Sequence, residues 1–196
     1  MNRLLASLAG VAGLLALRVE AVIHYVDVNS TNPVAPYTNW ATAASVIQNA
    51  LDASGSGDEV VVTNGVYETG SSNFMPTNRV KIGGPVTLRS VNGPEVTVIR
   101  GYQVPGATNG TSAIGCVYLA SGARLSGFTL TKGAKGTSGP SFVTGGGGVY
   151  CESSSAVVSN CVLVGNAAPQ GGGAYGGTLQ KCILSGNTAT SGGGGL

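Results

Sequence analysis

The chain has 196 residues, 33 of them glycine, and a formal net charge of +2. Only 9% of the residues are charged and 42% are hydrophobic, so the composition is too apolar for a disordered glycine-rich linker. The lysines and arginines are scattered and form no basic run, so nucleic-acid binding and binding to an anionic membrane surface have no support in the sequence. We therefore expect one folded domain of short strands and tight turns.

The N-terminus has the pattern of an export signal. Arg3 precedes an uncharged run from Leu4 to Leu17, and Val19-Glu20-Ala21 offers a small-residue cleavage site. The alternative is a transmembrane anchor, but the run is shorter than the roughly twenty residues that a spanning helix needs. We predict that residues 1–21 are a cleaved signal peptide and that residues 22–196 are secreted or held at the cell surface.

The first part of this domain predicts a strand, one helix and further strands. His24–Val28 predicts the first strand. Trp40–Ser54 predicts a helix, because Ala43, Ile47 and Leu51 recur on one face. The connection from Gly70 to Lys81 is polar and predicts a loop. The other predicted strands are Glu59–Val62, Val66–Tyr67, Val86–Ser90 and Val96–Arg100.

The C-terminal half repeats itself at intervals of about twenty residues. Each unit carries a Gly-Gly-Gly turn, a tyrosine, a cysteine and an asparagine, and a third copy begins at Gly192. Alternation of apolar and polar residues predicts equivalent inward positions in successive units. The inward sets are Leu125, Val158 and Leu179; Phe128, Cys161 and Cys182; and Leu130, Leu163 and Leu184, with Tyr118, Tyr150 and Tyr175 in a second register.

Such units predict coils that stack along a parallel ladder, because one coil cannot bury its apolar face alone. Asn166 and Asn187 fall at the same turn and predict an asparagine ladder that satisfies buried backbone groups; a ligand-binding role is the alternative. The insert Lys132–Thr144 predicts a corner loop. The spacing also matches a leucine-rich repeat, but the glycine-rich return lacks the apolar residues that such a horseshoe needs.

The repeat units and the predicted helix resemble the right-handed parallel β-helix proteins, the pectate-lyase-like superfamily. Ala44–Asp52, Gly57–Val62 and Gly65–Tyr67 are similar to the capping helix and first coil of that family. The Gly-Gly-Gly…Ser-Gly-Asn units resemble the repeats of polymorphic outer-membrane proteins. The resemblance implies an all-β, right-handed parallel β-helix solenoid with an N-terminal capping helix, residues 22–70 forming the cap and first coil and residues 80–196 the later coils.

The third copy breaks off at Leu196. This predicts a β-helix that is truncated at its C-terminus. The open C-terminal coil would expose unpaired strand edges, so we expect self-association through it.

The resemblance implies two enzymatic activities, and the residues match neither. Pectate-lyase-type enzymes bind calcium through clustered carboxylates, and sugar hydrolysis needs paired carboxylates. After Glu95, Glu152 is the only carboxylate side chain. We therefore predict no catalytic residue, no metal site and no cofactor in this chain.

Three groups of side chain remain as candidates, and each has a plain structural interpretation. Arg124, Lys132 and Lys135 could approach an anionic sugar, but we interpret them as solvated surface charges. His24 is interpreted as a satisfied or exposed strand residue. The four cysteines are interpreted as small apolar residues stacked in the core rather than as disulfides; they are Cys116, Cys151, Cys161 and Cys182.

We expect a secreted or surface repeat protein with a structural, adhesive or glycan-contacting role, partnered by a polysaccharide or another cell-surface component. The alternative is the N-terminal part of a polysaccharide lyase or glycoside hydrolase whose active coils lie beyond Leu196. A flat ice-binding face is a third hypothesis. It needs a threonine ladder, which Thr129, Val162 and Ile183 do not supply.

Overall fold

The computed structural model describes residues 20–72 and 78–195, so the predicted signal peptide lies almost wholly outside the described residues. Regular structure is mostly β-strand, with a 3-10 turn at Trp40–Thr42 and two short helices, α1 (Ile47–Asp52) and α2 (Ser141–Thr144). The strands are β1 (Ile23–Val26), β2 (Glu59–Val62), β3 (Gly65–Tyr67), β4 (Asn78–Ile82), β5 (Thr87–Ser90), β6 (Thr97–Arg100), β7 (Gly115–Leu119), β8 (Arg124–Ser126), β9 (Thr129–Thr131), β10 (Val149–Cys151), β11 (Val157–Ser159), β12 (Val162–Val164), β13 (Ala167–Gln170), β14 (Ala174–Tyr175), β15 (Thr178–Gln180), β16 (Ile183–Ser185) and β17 (Thr188–Gly192).

All the paired strands run parallel, as predicted for an all-β chain of stacked units. Sheet A has the order β1-β2-β5-β8-β11-β15, sheet B has β3-β6-β9-β12-β16, sheet C has β4-β7-β10-β14, and sheet D has β13-β17. From β7 onward the chain visits sheets C, A and B in turn, and later also sheet D. Each sheet therefore stacks strands from successive units, an order compatible with a β-helix-like solenoid.

The inward sets predicted from the repeat are confirmed by the register of the strands. Val158 pairs with Leu125 on one side and Leu179 on the other. Leu163 likewise lies between Leu130 and Leu184. The inner members of these sets are fully buried, whereas Leu179, Cys182 and Leu184 in the last described unit are only partly buried.

The predicted asparagine ladder is present and is part of the packing. Asn166 is 1% exposed, and its Nδ2 donates to the Leu130 carbonyl at 2.9 Å while its Oδ1 accepts from Gly133 N–H at 2.9 Å. Asn187 repeats the first bond one unit later, with Nδ2 2.8 Å from the Leu163 carbonyl. Its Oδ1 accepts from Asn166 N–H at 3.0 Å. These side chains satisfy backbone groups at a buried corner.

Two left-handed corners bracket sheet B in three successive units. The first corner holds Gly127, Asn160 and Lys181, with φ of 81°, 48° and 53°. The second corner holds Lys132, Gly165 and Gly186, with φ of 56°, 64° and 59°. Glycine adopts left-handed φ values freely and asparagine tolerates them, but for lysine they are sterically unfavourable.

The helix predicted over Trp40–Ser54 is too long. Ala44 instead extends sheet A through a parallel bridge to Val26, accepting from Asp27 N–H and donating to the Tyr25 carbonyl, both at 2.9 Å. Pairing with the edge of β1 thus overrides the helical periodicity of the alanines. The true helix is α1, which buries Ile47 and Leu51.

The loop predicted from Gly70 to Lys81 is also wrong at its C-terminal end. Residues from Asn78 onward form β4, in which Asn78, Val80 and Ile82 are buried and the residues between them are partly exposed. Arg79 and Lys81 alternate with these buried residues, and their charge gave the segment the polar composition of a loop. The corner loop Lys132–Thr144 is present, but it ends in the helical turn α2. No helix in residues 20–72 or 78–195 is long and apolar enough to cross a membrane.

Candidate functional site

The three basic residues singled out in the sequence are not equivalent in the structure. Arg124 on β8 and Lys132 after β9 are exposed, as expected for surface charges. Lys135 is 1% exposed, so its interpretation as a solvated charge is wrong. Its Nζ donates to Asn78 Oδ1 at 2.7 Å, and burial lowers the pKa of Lys135 to about 7. The amino group is enclosed because Lys135 lies at the base of the corner loop, against the start of β4.

His24 and the cysteines match their structural interpretations. His24 is 2% exposed, and its two ring nitrogens contact the Pro36 carbonyl at 2.7 Å and Asp58 Oδ2 at 3.3 Å. The cysteines are free thiols. Burial raises the pKa of Cys116, Cys151 and Cys161 to about 12, so these thiols are not nucleophiles at neutral pH.

The tyrosine register forms a stacked column on sheet C. The rings of Tyr118 and Tyr150 are 5.5 Å apart and those of Tyr150 and Tyr175 are 5.3 Å apart, both nearly parallel. Lys81, which pairs with Tyr118 in the ladder, places Nζ 5.9 Å from that ring. Because neighbouring ring faces cover one another, the column stabilises the stack.

A shallow, open cleft lined by Arg100 and Lys132 lies between the loop that follows β6 and the corner that follows β9. Its volume is about 440 Å³. The residues that line it share a position on the rim of sheet B or on that loop: Arg100, Gly101, Tyr102, Gln103, Val104, Pro105, Gly106, Thr108 and Lys132. We call this surface the cationic cleft.

The loop wall of the cationic cleft is held in place by backbone and side-chain bonds. Tyr102 and Ile114 form an antiparallel bridge, with both N–H to carbonyl distances close to 3 Å. Gln103 Nε2 donates to the Gly165 carbonyl at 2.8 Å, which ties the loop to the left-handed corner of the next unit. Tyr102 itself is 41% exposed. The cleft therefore has a fixed wall and an accessible aromatic ring.

The charge at the cationic cleft is positive. Arg100 Nη1 donates to Glu68 Oε2 at 2.8 Å, an exposed pair that leaves other guanidinium donors available. The ammonium group of Lys132 has no hydrogen-bond or ion-pair partner among the described residues. Arg79 is a third cation next to Arg100, because its Nε donates to the Arg100 carbonyl at 2.9 Å. One carboxylate thus faces more than one cation, and an anion is the ligand that this surface favours.

A second cleft, beside the end of α1, carries less chemistry. It encloses about 420 Å³ and no charged side chain lines it. The lining residues are Leu51, Ser54, Gly55, Ser56, Ile82, Gly83, Gly84, Pro85 and Val86.

Within the described ranges, no three His, Cys, Asp or Glu residues lie close enough together to hold a metal ion. No Asp or Glu is among the described residues that line the cationic cleft, and the carboxylate of Glu68 accepts a hydrogen bond from Arg100. The cleft can therefore hold and orient a charged ligand, and it lacks the paired carboxylates of general acid–base chemistry on sugars.

Sequence reasoning found Lys132 but missed Arg100 and Tyr102. Lys132 occupies the repeat position of Gly165 and Gly186, a departure that aligning the units would have exposed. Arg100 and Tyr102 belong to an earlier unit of different length, so only the folded register of β6 beside β9 brings them to Lys132.

No protein-family model, curated protein or solved structure matches the chain. Membership of the pectate-lyase-like superfamily therefore stays a prediction from the sequence, and the stacked parallel sheets and the cationic cleft are what the structure itself contributes.

Proposed function

We propose that the chain is a right-handed parallel β-helix of the pectate-lyase-like kind, with α1 capping its first coil. Support comes from the order in which the chain visits sheets A, B and C and from the parallel register within each sheet. Ile47, Ala50 and Leu51 of α1 are buried. An amphipathic helix in this place shields an apolar end that a stacked fold leaves open.

The protein is exported and works at the cell surface as a rigid scaffold that contacts a glycan without cleaving it. Export is supported by the signal-like residues 1–21. The main support for glycan contact without cleavage is the cationic cleft. Its lining combines an exposed aromatic residue with cations and has no paired carboxylates. Aromatic rings and fixed polar groups are the usual means of holding a saccharide in a shallow site.

The test is a combined binding and cleavage assay on polysaccharides. The purified protein is incubated with polygalacturonate and with a neutral glucan, and retention of each polymer is measured by affinity electrophoresis. Chain length is followed by reducing-end release and by the ultraviolet absorbance of unsaturated ends. We expect retention of a polymer with no change in chain length; shortened chains would mean that the protein is an enzyme and would overturn this function.

A further inference from the structure

We propose that cleavage between Ala21 and Val22 creates an N-terminal ammonium group that pairs with the carboxylate of Asp58 and fastens the first strand to the fold. The inference rests on the export of the protein in the proposed function, and it adds what removal of the signal does to the chain. A signal peptidase adds one water across the bond. Ala21 leaves with the oxygen as a new carboxylate, and the Val22 nitrogen takes both hydrogens and becomes an ammonium group.

The position of the Val22 nitrogen is the first support. Val22 N–H donates to Asp58 Oδ1 at 2.8 Å, and the Val22 carbonyl accepts from Glu59 N–H at 3.0 Å. Both sides of the residue are therefore held before the chain is cut. β1 begins one residue later, at Ile23. Cleavage thus removes no residue of sheet A and leaves the new ammonium group within hydrogen-bond distance of a carboxylate.

The bond to be cut is accessible. Glu20 and Ala21 are exposed and lie outside any helix or strand, and Val22 is 41% exposed. Exposed backbone without secondary structure is where proteolysis concentrates. A peptidase can reach this bond without disrupting β1.

Asp58 is a largely covered carboxylate without a permanent cation. Its side chain is 12% exposed, and its Oδ2 accepts from Gly55 N–H at 2.7 Å and contacts His24 Nε2 at 3.3 Å. No lysine or arginine among the described residues forms an ion pair with it. Hydrogen bonds from Gly55 and Val22 N–H lower the pKa of Asp58, so the carboxylate is ionised at neutral pH. An ammonium group on Val22 supplies the missing opposite charge.

The ion pair would join three parts of the N-terminal region. Val22 precedes β1, Gly55 lies in the turn after α1, and Glu59 begins β2, with its own carboxylate engaged by Arg89. β1 is the first strand of sheet A, and terminal strands open most readily. A cut one residue earlier would displace the charge by about 3 Å, and a cut one residue later would remove Val22. The position of the cut therefore decides whether the pair forms.

The experiment tests the charge on Val22 by acetylation. The full-length chain is expressed in an exporting bacterial host, and mass spectrometry identifies the first residue of the exported protein. Acetic anhydride at about pH 7 then acetylates the α-amine ahead of exposed lysines, whose ordinary pKa of about 10.4 exceeds that of an α-amine, about 7.7–8.0. Lys135 is buried, and peptide mapping confirms a single acetyl group. Acetylation keeps the Val22 N–H and removes only its charge.

We expect the exported protein to begin at Val22 and acetylation to lower its melting temperature by about 2–4 °C. Asp58→Asn should abolish this difference. It should also speed acylation of the α-amine by about threefold or more, because pairing with a carboxylate raises the pKa of the amine and leaves less of its reactive neutral form. Asp52→Asn is the matched control: it removes a nearby carboxylate, which accepts from Gln48 Nε2 at 2.8 Å, and should leave both readings unchanged.

The outcomes separate this inference from the proposed function. An unchanged melting temperature of the acetylated wild-type protein would overturn the inference while export stands, and this comparison decides even if Asp58→Asn does not fold. Equal effects of acetylation in the wild-type protein and Asp58→Asn, or an exported protein that begins at another residue, would have the same meaning. A chain kept inside the cell with residues 1–21 attached would overturn export and this inference together.

Discussion

At the residue scale, Lys135 couples the stability of the fold to pH. Its Nζ is enclosed, with Asn78 Oδ1 as an acceptor, and burial lowers its pKa from 10.5 to about 7. Below pH 7 both folded and unfolded chains carry the proton, and the folded state bears the full cost of a buried charge. As the pH rises from 7 towards 10.5 the unfolded chain binds more protons than the folded one, so stability increases.

We therefore expect Lys135→Met to be more stable than the wild-type protein at about pH 6 and to lose this advantage towards about pH 10. The change in the difference should be on the order of 3 kcal/mol. Urea denaturation at both pH values measures it, with the exposed Lys181→Met as control. If Lys135→Met kept the same advantage over the wild-type protein at both pH values, Lys135 would have to stay charged in the fold.

Asn166 makes a second prediction at this scale. Asn166→Ala removes the side-chain oxygen that accepts from Gly133 N–H and the side-chain nitrogen that donates to the Leu130 carbonyl. Both backbone groups lie at a buried corner. Leaving these groups unpaired should lower the free energy of unfolding by about 2–3 kcal/mol. Asn109→Ala, in the loop wall, should cost less than about 1 kcal/mol because its Oδ1 makes only a long 3.5 Å contact with Lys135 N–H. Equal losses, measured by urea denaturation, would contradict the ladder.

At the scale of elements, the glycine-rich turns are sites where backbones stack directly on one another. Gly148 N–H donates to the Gly172 carbonyl and Gly172 N–H to the Gly193 carbonyl, each at 3.2 Å. A Cβ at Gly172 would overlap the Thr188 carbonyl. The glycines therefore permit the spacing of the stack rather than flexibility.

Gly172→Ala should accordingly destabilise the fold by about 1–3 kcal/mol or more. Gly84→Ala is the matched control, because a Cβ there meets open space and the backbone φ is not left-handed. The control should be neutral or slightly stabilising. Thermal unfolding followed by circular dichroism compares the two, and similar melting temperatures would mean that the turns do not stack as described.

Predictability also differs between elements. The units from β8 to β16 could be predicted because each has two-residue alternation and a near-copy in the next unit. The N-terminal region could not be predicted in the same way. Ala43 and Ala44 fit the helical spacing of the sequence, but Ala44 is extended and pairs with Val26 at the edge of β1. The cationic cleft was only partly predictable, since it joins Arg100 and Lys132 from units separated by loops of unequal length.

At the scale of the molecule, the strands at one end have a neighbour on one side only. In the described chain β14, β15, β16 and β17 are the last strands of their sheets, and Ile183 is 63% exposed. Open edges with apolar residues promote pairing between molecules. We expect this chain to self-associate reversibly at micromolar concentrations in sedimentation velocity.

Ile183→Lys should reduce the association, because a lysine on an edge strand disfavours pairing. Val66→Lys is the control: Val66 lies in the same outward column of sheet B, on the strand at the opposite end, and is 39% exposed. A monomeric wild-type protein across this concentration range would rule out the open edge as an association surface.

We propose that a rigid stack of parallel sheets presents a cleft that contacts a glycan without cleaving it, and nuclear magnetic resonance tests this proposal most directly. An isotope-labelled protein is titrated with an oligogalacturonate, and the mass of the oligosaccharide is checked afterwards. We predict shifts of the backbone amides of Gly101, Tyr102, Thr108, Lys132 and Gly165, with the oligosaccharide intact. Shifts centred on the outer face of sheet A around Arg89 and Arg124, or a cleaved oligosaccharide, would contradict the account.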